Sequence, residues 1–151
     1  MNDAKQNNPA KSLRHRAREL AMQGIYEWRL SGKSASLIEK GTIAEKSLGR
    51  YDIEFFGQLL RGAIAQHEAL SELIAPNLDR KLDELSPVEY SVLLLGAYEL
   101  AHHPEIPYRV VINEAVELSK TFGGSDGHKF VNGVLDKLAA QLRAAEVKAA
   151  R

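Results

Sequence analysis

Two stretches of this 151-residue chain bring together side chains that could do chemistry, and neither has the form of a catalytic centre. Lys11-Ser12-Leu13-Arg14-His15-Arg16-Ala17-Arg18 sets three arginines and a histidine within five positions. On a helix turning about 100° per residue, Arg14 and Arg18 stand together at one border of the apolar stripe. Arg16 lies at the other border and His15 faces out. Alone, such a cluster reads as a solvated helix end. Positive charge near a helix start, however, opposes the helix dipole, and an anionic partner would offset that cost. Far along the chain, Gly123-Gly124-Ser125-Asp126-Gly127-His128-Lys129-Phe130 runs from a glycine-rich turn into a helix. Its glycines and lysine lack P-loop spacing. A turn that delivers a helix N-terminus still leaves free amide groups suited to one phosphate. The plainer reading is an interhelical turn with Ser125 or Asp126 as the cap. Phe130 favours the first reading. It lies about 100° off the centre of the core stripe, on a flank with Asp126, Gly133 and Lys137. A half-exposed phenylalanine beside Lys129 is a platform on which a base can stack; the alternative is packing against the other half of the protein, and both can hold at once. Arginines with stacking aromatics are the usual equipment for single-stranded RNA. If both stretches serve one RNA, the starts of the first and last helices must share a surface.

The rest of the inventory argues against an enzyme. There is no Gly-x-Ser-x-Gly, His-Glu-x-x-His or Walker pattern. The chain has no cysteine, which excludes disulfides, thiolate zinc sites and thiol nucleophiles. His102 and His103 are adjacent, diverge on a helix and make no two-ligand face. No cofactor and no metal are expected. Twenty basic residues balance 20 acidic ones, so the chain is not basic all over. Residues 1–18 nevertheless hold five lysines and arginines against Asp3 alone, a local anion-seeking end. The N-terminus has no apolar segment of signal-peptide type and no stretch spans a membrane, so a cytoplasmic location is expected.

The elements that must position these residues are all helical. The central one is Ser86-Pro87-Val88-Glu89 running into Val92-Leu93-Leu94-Leu95. Ser86 is an N-cap, Pro87 sits at the first helical position and Glu89 completes a capping box. Four consecutive apolar residues cover nearly every side of a helix, so neighbours must bury it all round. Before it, residues 1–11 read as a disordered basic arm. Ser12 is a candidate cap for a helix over about 12–31, with Leu13, Ala17, Leu20, Gly24 and Trp28 as its core stripe. Met22 and Tyr26 fall on the opposite face, where they could serve a second copy, a partner or nothing; Tyr26 is taken as a candidate partner contact. A weaker helix covers about 34–48, its interior Gly41 counting against it, and a long one about 53–74, capped by Asp52. His67 lies on the buried stripe of that helix, where the ordinary reading is a core histidine with a backbone partner. Pro76 breaks the chain, giving an N-terminal bundle over 12–76 and a C-terminal one over 77–144. Pro107 opens a helix with Val111, Ala115, Leu118 and Phe122 inside, and Gly123-Gly124 stops it. The last helix buries Val131, Val134, Leu135, Leu138 and Leu142. Residues 145–151 read as a frayed tail.

Two blocks of sequence resemble a known family. Arg14-His15-Arg16-Ala17-Arg18-Glu19-Leu20-Ala21-Met22-Gln23-Gly24-Ile25-Tyr26 is the first. The second is Pro107-Tyr108-Arg109-Val110-Val111-Ile112-Asn113-Glu114-Ala115-Val116-Glu117-Leu118-Ser119-Lys120 with His128-Lys129-Phe130-Val131-Asn132-Gly133-Val134-Leu135-Asp136-Lys137, and Ala97-Tyr98-Glu99-Leu100 agrees with it. These resemble the NusB family of bacterial transcription antitermination factors over about 12–140, least in 32–52. The resemblance implies an all-α fold of two helical bundles packed at an angle, with about seven helices. It implies a non-catalytic protein that binds boxA RNA of ribosomal RNA leaders together with NusE, a small-subunit ribosomal protein. That complex joins NusA and NusG on RNA polymerase. The family's arginine-rich RNA motif falls on Arg14, His15, Arg16 and Arg18, and its aromatic RNA contact on Phe130 with Lys129 beside it. A position whose change alters antitermination falls on Asp126, and an acidic residue of the NusE interface on Glu89. Two departures stand out. His15 replaces a frequent arginine, and Asn77 stands where some relatives carry an RNA-contacting aromatic. RNA methyltransferases carry a similar helical domain, but no cofactor-binding glycine motif is present here. The other reading from the residues is a helical protein–protein adaptor that never touches RNA.

Overall fold

Helical periodicity, caps and breakers set the element order. The computed structural model describes the backbone of residues 9–151 and the side chains of residues 13–151. The described residues form eight α-helices and no strand. These are α1 (Pro9–Ser31), α2 (Ala35–Ala44), α3 (Ile53–Ala65), α4 (His67–Ile74), α5 (Pro87–His102), α6 (Tyr108–Phe122), α7 (Gly127–Leu142) and α8 (Ala144–Ala150). Short 3-10 turns occupy Lys46–Leu48, Ala75–Asn77 and Leu82–Glu84. Among the described residues no helix is long and apolar enough to cross a membrane. Contacts group the chain into two compact units, Met1–Arg61 and Gly62–Arg151. The break expected at Pro76 is the 3-10 turn Ala75–Asn77, and α4 packs on α5 within the second unit.

In the first unit, α1 starts at Pro9, so Ser12 lies inside the helix rather than capping it. The remainder of the expected arm, residues 1–8, lies outside the described residues. Ala17, Leu20, Ala21 and Ile25 are buried. Gly24 permits close packing. A Cβ there would lie 2.7 Å from Leu60 Cδ1 and 3.3 Å from Ile38 Cγ2, so its absence lets α2 and α3 approach α1. Met22, expected to face out, is 1% exposed. It shares a second buried stripe with Arg18, Ala21 and Ile25 at three-to-four spacing, so the buried arc of α1 is wider than one stripe. Ser34 caps α2 by accepting the Leu37 N–H at 3.2 Å. That helix ends at Ala44, before the 48 expected, because the Glu45 carboxylate accepts the Ser47 N–H and starts a new turn. Asp52 caps α3, its Oδ1 accepting the Phe55 N–H at 3.0 Å. Its own N–H donates to the Leu13 carbonyl at 3.2 Å, tying the start of α3 to α1.

The helix expected over 53–74 bends at Gln66, dividing α3 from α4. His67 Nδ1 lies 2.8 Å from the Ile64 carbonyl. A side chain entering the backbone ladder is a recognised cause of such a bend, and the histidine has the backbone partner expected of it.

In the second unit, α5 is enclosed by α4, α6 and α7. Val92, Leu93, Leu94 and Leu95 are at most 1% exposed. Ser86 Oγ accepts the Glu89 N–H at 3.1 Å and Glu89 Oε1 accepts the Ser86 N–H at 3.0 Å, a reciprocal capping box. Val111, Ala115 and Leu118 of α6 and Val131, Val134, Leu135 and Leu138 of α7 are buried against this core. The tail 145–151, expected to fray, instead contributes all but the first residue of α8 (Ala144–Ala150), because Val147 is buried and Glu146 is bonded. The anchor is Arg143, itself buried. Its guanidinium donates to the carbonyls of Leu100 at 2.8 Å, Ile106 at 3.0 Å, His103 at 2.9 Å and Glu99 at 3.3 Å. It also donates to Glu146 Oε1 at 2.6 Å. Glu146 Oε2 in turn accepts the Tyr108 N–H at 2.9 Å, at the start of α6.

Two outcomes test this packing. Leu94→Asp places an unpaired carboxylate in the centre of α5 and is expected to unfold the chain in circular dichroism. The second concerns Glu146, whose carboxyl is held below its usual range by the Tyr108 N–H first and by Arg143 next. A depressed folded pKa contributes stability above the unfolded value of about 4.3, and loses it as pH falls through the folded value. The melting-temperature gap between wild type and Glu146→Gln should therefore be open at neutral pH and close in the acid range below about pH 4. A gap that is constant with pH would show that the carboxylate charge contributes nothing.

Candidate nucleic-acid interface

The arginine segment is held by counter-charges on its own unit. Because α1 begins at Pro9, Arg14 to Arg18 sit beyond the first helical turn, where the dipole is weak. The unfavourable charge expected at the helix start is further relieved by two carboxylates. Arg14, the most exposed of the three arginines, places Nε 3.7 Å from Asp52 Oδ2 and its guanidinium 4.2 Å from the centre of the buried Phe55 ring. Arg16 donates to Glu19 Oε1 at 2.9 Å and to the Leu48 carbonyl at 3.4 Å. His15 Nε2 lies 3.3 Å from Glu19 Oε2. Arg18 differs from the rest. It is 4% exposed and lies 5.1 Å from the Phe55 ring centre. Arg14, His15 and Arg16 are thus reachable by a phosphate, while Arg18 belongs to the packing beneath them. The α3 start that carries Asp52 and Phe55 fixes where Arg14 points, and sequence reasoning gave those two residues no part in the site. Asp52 was legible as a helix cap, but its ion pair required knowing that α3 begins beside Leu13 and Arg14.

The second group gathers at the start of α7. Asp126 occupies the N-cap position without a side-chain capping bond, against the expectation that it or Ser125 would cap. Its backbone there is at φ −111° and ψ 4°, and its exposed carboxylate lies 3.9 Å from Lys129 Nζ instead. Lys129 is open to solvent and Phe130 is half-buried. One face of Phe130 carries a neighbour the sequence did not suggest. The Arg80 guanidinium lies 4.0 Å from its ring centre. Arg80 comes from the loop between the 3-10 turns, and Asp79 holds it with a 2.7 Å bond to Nε. A cavity of 190 Å³ beside Phe130 is lined by Asn77, Asp79, Lys129, Val134 and Lys137 among others. Asn77 is buried and donates to the Leu73 carbonyl at 3.1 Å and to Gln141 Oε1 at 3.4 Å. It is a structural amide, not a stacking surface.

The candidate partner residues are both accessible. Glu89 is half-buried with one carboxylate oxygen spent on its capping box, and its charge is felt at Arg80. Tyr26 is 38% exposed. No group of three or more histidine, aspartate or glutamate side chains is placed to hold a metal among the described residues. The Asp126, Lys129 and Phe130 group therefore lies within the second unit together with Glu89, and the arginine segment and Tyr26 lie within the first.

The comparisons with known proteins agree on one kinship. The profile of the NusB family matches residues 15–140. The transcription antitermination protein NusB of Paraburkholderia phytofirmans is 57% identical over 141 residues, 93% of this chain and 98% of its own length. That of Ralstonia pickettii is 55% identical over 148 residues, 98% of this chain and 96% of its own. Among solved structures, the antitermination factors NusB and NusE in complex with dsRNA match with a TM-score of 0.76 at 29% identity, over 84% of this chain and 96% of that one. T. maritima NusB matches with a TM-score of 0.74 at 29% identity, over 84% and 90%. A family match across most of the chain, with more than half of the residues shared with full-length relatives, settles the point: the chain belongs to the NusB family.

Proposed function

We propose that this protein is a transcription antitermination factor that binds single-stranded, boxA-type RNA of ribosomal RNA leaders together with NusE. In this reading it works in the cytoplasm, non-catalytically, and joins NusA and NusG on RNA polymerase. The observation that carries the reading is the start of α7. There Phe130 is kept half-exposed beside the open ammonium of Lys129, on a chain whose near relatives are antitermination proteins. Arg14, His15 and Arg16 supply the phosphate contacts, releasing Asp52 and Glu19 as they do so. Arg18 supports them from beneath. Glu89 faces NusE, with Tyr26 as a second partner contact, and Asp126 modulates the Lys129 charge beside the RNA. The adaptor reading has one observation in its favour, the intramolecular carboxylates beside Arg14, His15 and Arg16.

Binding of labelled boxA-type RNA, with and without NusE and across a salt series, separates the two readings. Replacing Arg14 and Arg16 with alanine should weaken boxA and unrelated RNA alike. It should also reduce the salt slope by roughly 0.7 for each phosphate of the single strand that is no longer neutralised. Phe130→Ala should cost about 1–3 kcal/mol of RNA affinity with the melting temperature nearly unchanged. A salt slope indifferent to the arginines, with RNA binding indifferent to Phe130, would leave the adaptor reading standing.

A further inference from the structure

We propose that Arg80 is an RNA-contact residue, its guanidinium being the plane on which a base of single-stranded RNA stacks, with Phe130 as the support behind it. The inference rests on the RNA-binding reading above and changes what Phe130 does within it. At 4.0 Å from the ring centre the guanidinium is in contact with the phenylalanine face. A base cannot reach that face while Arg80 lies there. It can reach the outer face of the guanidinium, which is flat, delocalised and weakly hydrated, and which stacks on aromatic systems as readily as a ring does.

The position of Arg80 is fixed from two directions. The Phe130 ring centre lies 4.0 Å from its Cζ, and Asp79 holds one edge, with Oδ1 2.7 Å from Nε and Oδ2 3.5 Å from Nη2. A two-point hold on one edge of a planar fork sets its orientation as well as its place. It leaves the Nη1 edge for a phosphate oxygen. The Arg80 side chain is 36% exposed, enough to receive a ligand from solvent. The hydrogen bond from Arg80 in turn keeps the Asp79 carboxyl below its ordinary range. The 190 Å³ cavity lined by its neighbours Asp79 and Phe130 also has Lys129 and Lys137 on its walls, two further cations for the sugar-phosphate chain leading to and from the stacked base. A flat cation, an aromatic support and flanking ammonium groups are the components of a single-stranded nucleic-acid contact.

The test is fluorescence anisotropy of fluorescein-labelled boxA-type single-stranded RNA in the presence of NusE, with thermal melting of every variant. Arg80→Ala should weaken binding about as much as Phe130→Ala, by roughly 5- to 150-fold, the range expected for removing one stack. Arg80→Lys should not restore it, because an ammonium keeps the charge and loses the plane. The double variant should be little weaker than either single one, since both remove the same stack. Asp79→Asn should weaken binding less, by loosening the plane without removing it. Binding that is unchanged or tighter in Arg80→Ala would make the guanidinium a cover that the base displaces. Full rescue by Arg80→Lys would make it a point charge only. Either result overturns the proposal while RNA binding by the wild type stands. A wild-type protein that does not bind the RNA at all sinks the functional reading and this inference together.

Discussion

The enclosure of α5 is the constraint on which the second unit depends. A helix apolar on every side has no face to give to water, so α4, α6 and α7 must surround it. Enclosure creates a second requirement, because the last carbonyls of a buried helix have no water to bond. Arg143 meets it by carrying its donors to Glu99 and Leu100 in the last turn and to His103 and Ile106 in the connector beyond. The same side chain fixes where α7 ends and α8 begins, and Glu146 passes the connection on to the start of α6. One buried guanidinium thus joins α5, the following connector, α6 and the C-terminal helix, and α7 enters the candidate site from a backbone held at its far end.

The cations of the candidate site are treated in the opposite way. Arg14, His15 and Arg16 are kept near the surface and given partners that water can replace. Exposed ion pairs of this kind contribute little to stability, typically up to about 1 kcal/mol. They still orient long side chains that would otherwise lose rotamer freedom on meeting a phosphate. Asp52 is both the cap of α3 and the counter-ion of Arg14, so the start of α3 and the position of the Arg14 side chain share one carboxylate. At the start of α7 the same device recurs. Asp126 faces Lys129 and Asp79 faces Arg80, in each case a carboxylate beside a cation that remains accessible.

The all-helical class, the buried centre of α5 and its capping box were legible in the sequence because they depend on local period and local caps. So was the satisfied histidine at position 67. The breaks that sequence misplaced were of another kind. No glycine or proline marks the bend at Gln66, which follows from a side chain entering the ladder at Ile64. The expected frayed tail became α8 because Val147 and Glu146 find partners far away in sequence, and composition alone carries no such information.

For the candidate site residues the division is sharper. Sequence by itself determined which types were present and where: arginines at 14, 16 and 18, a phenylalanine off the core stripe at 130, and a family resemblance over most of the chain. Only tertiary structure decided which of them face water. Arg18 and Met22 fall on a stripe that is buried, because burial depends on what packs against a helix and not on the helix's own period. Arg80 and Asp79 sit in a loop with no periodic signal, about 50 residues before Phe130 in sequence, and their stack on its ring exists only once the chain has folded back on itself. Local order is written in neighbouring residues, whereas a site is an encounter between distant ones, fixed by packing.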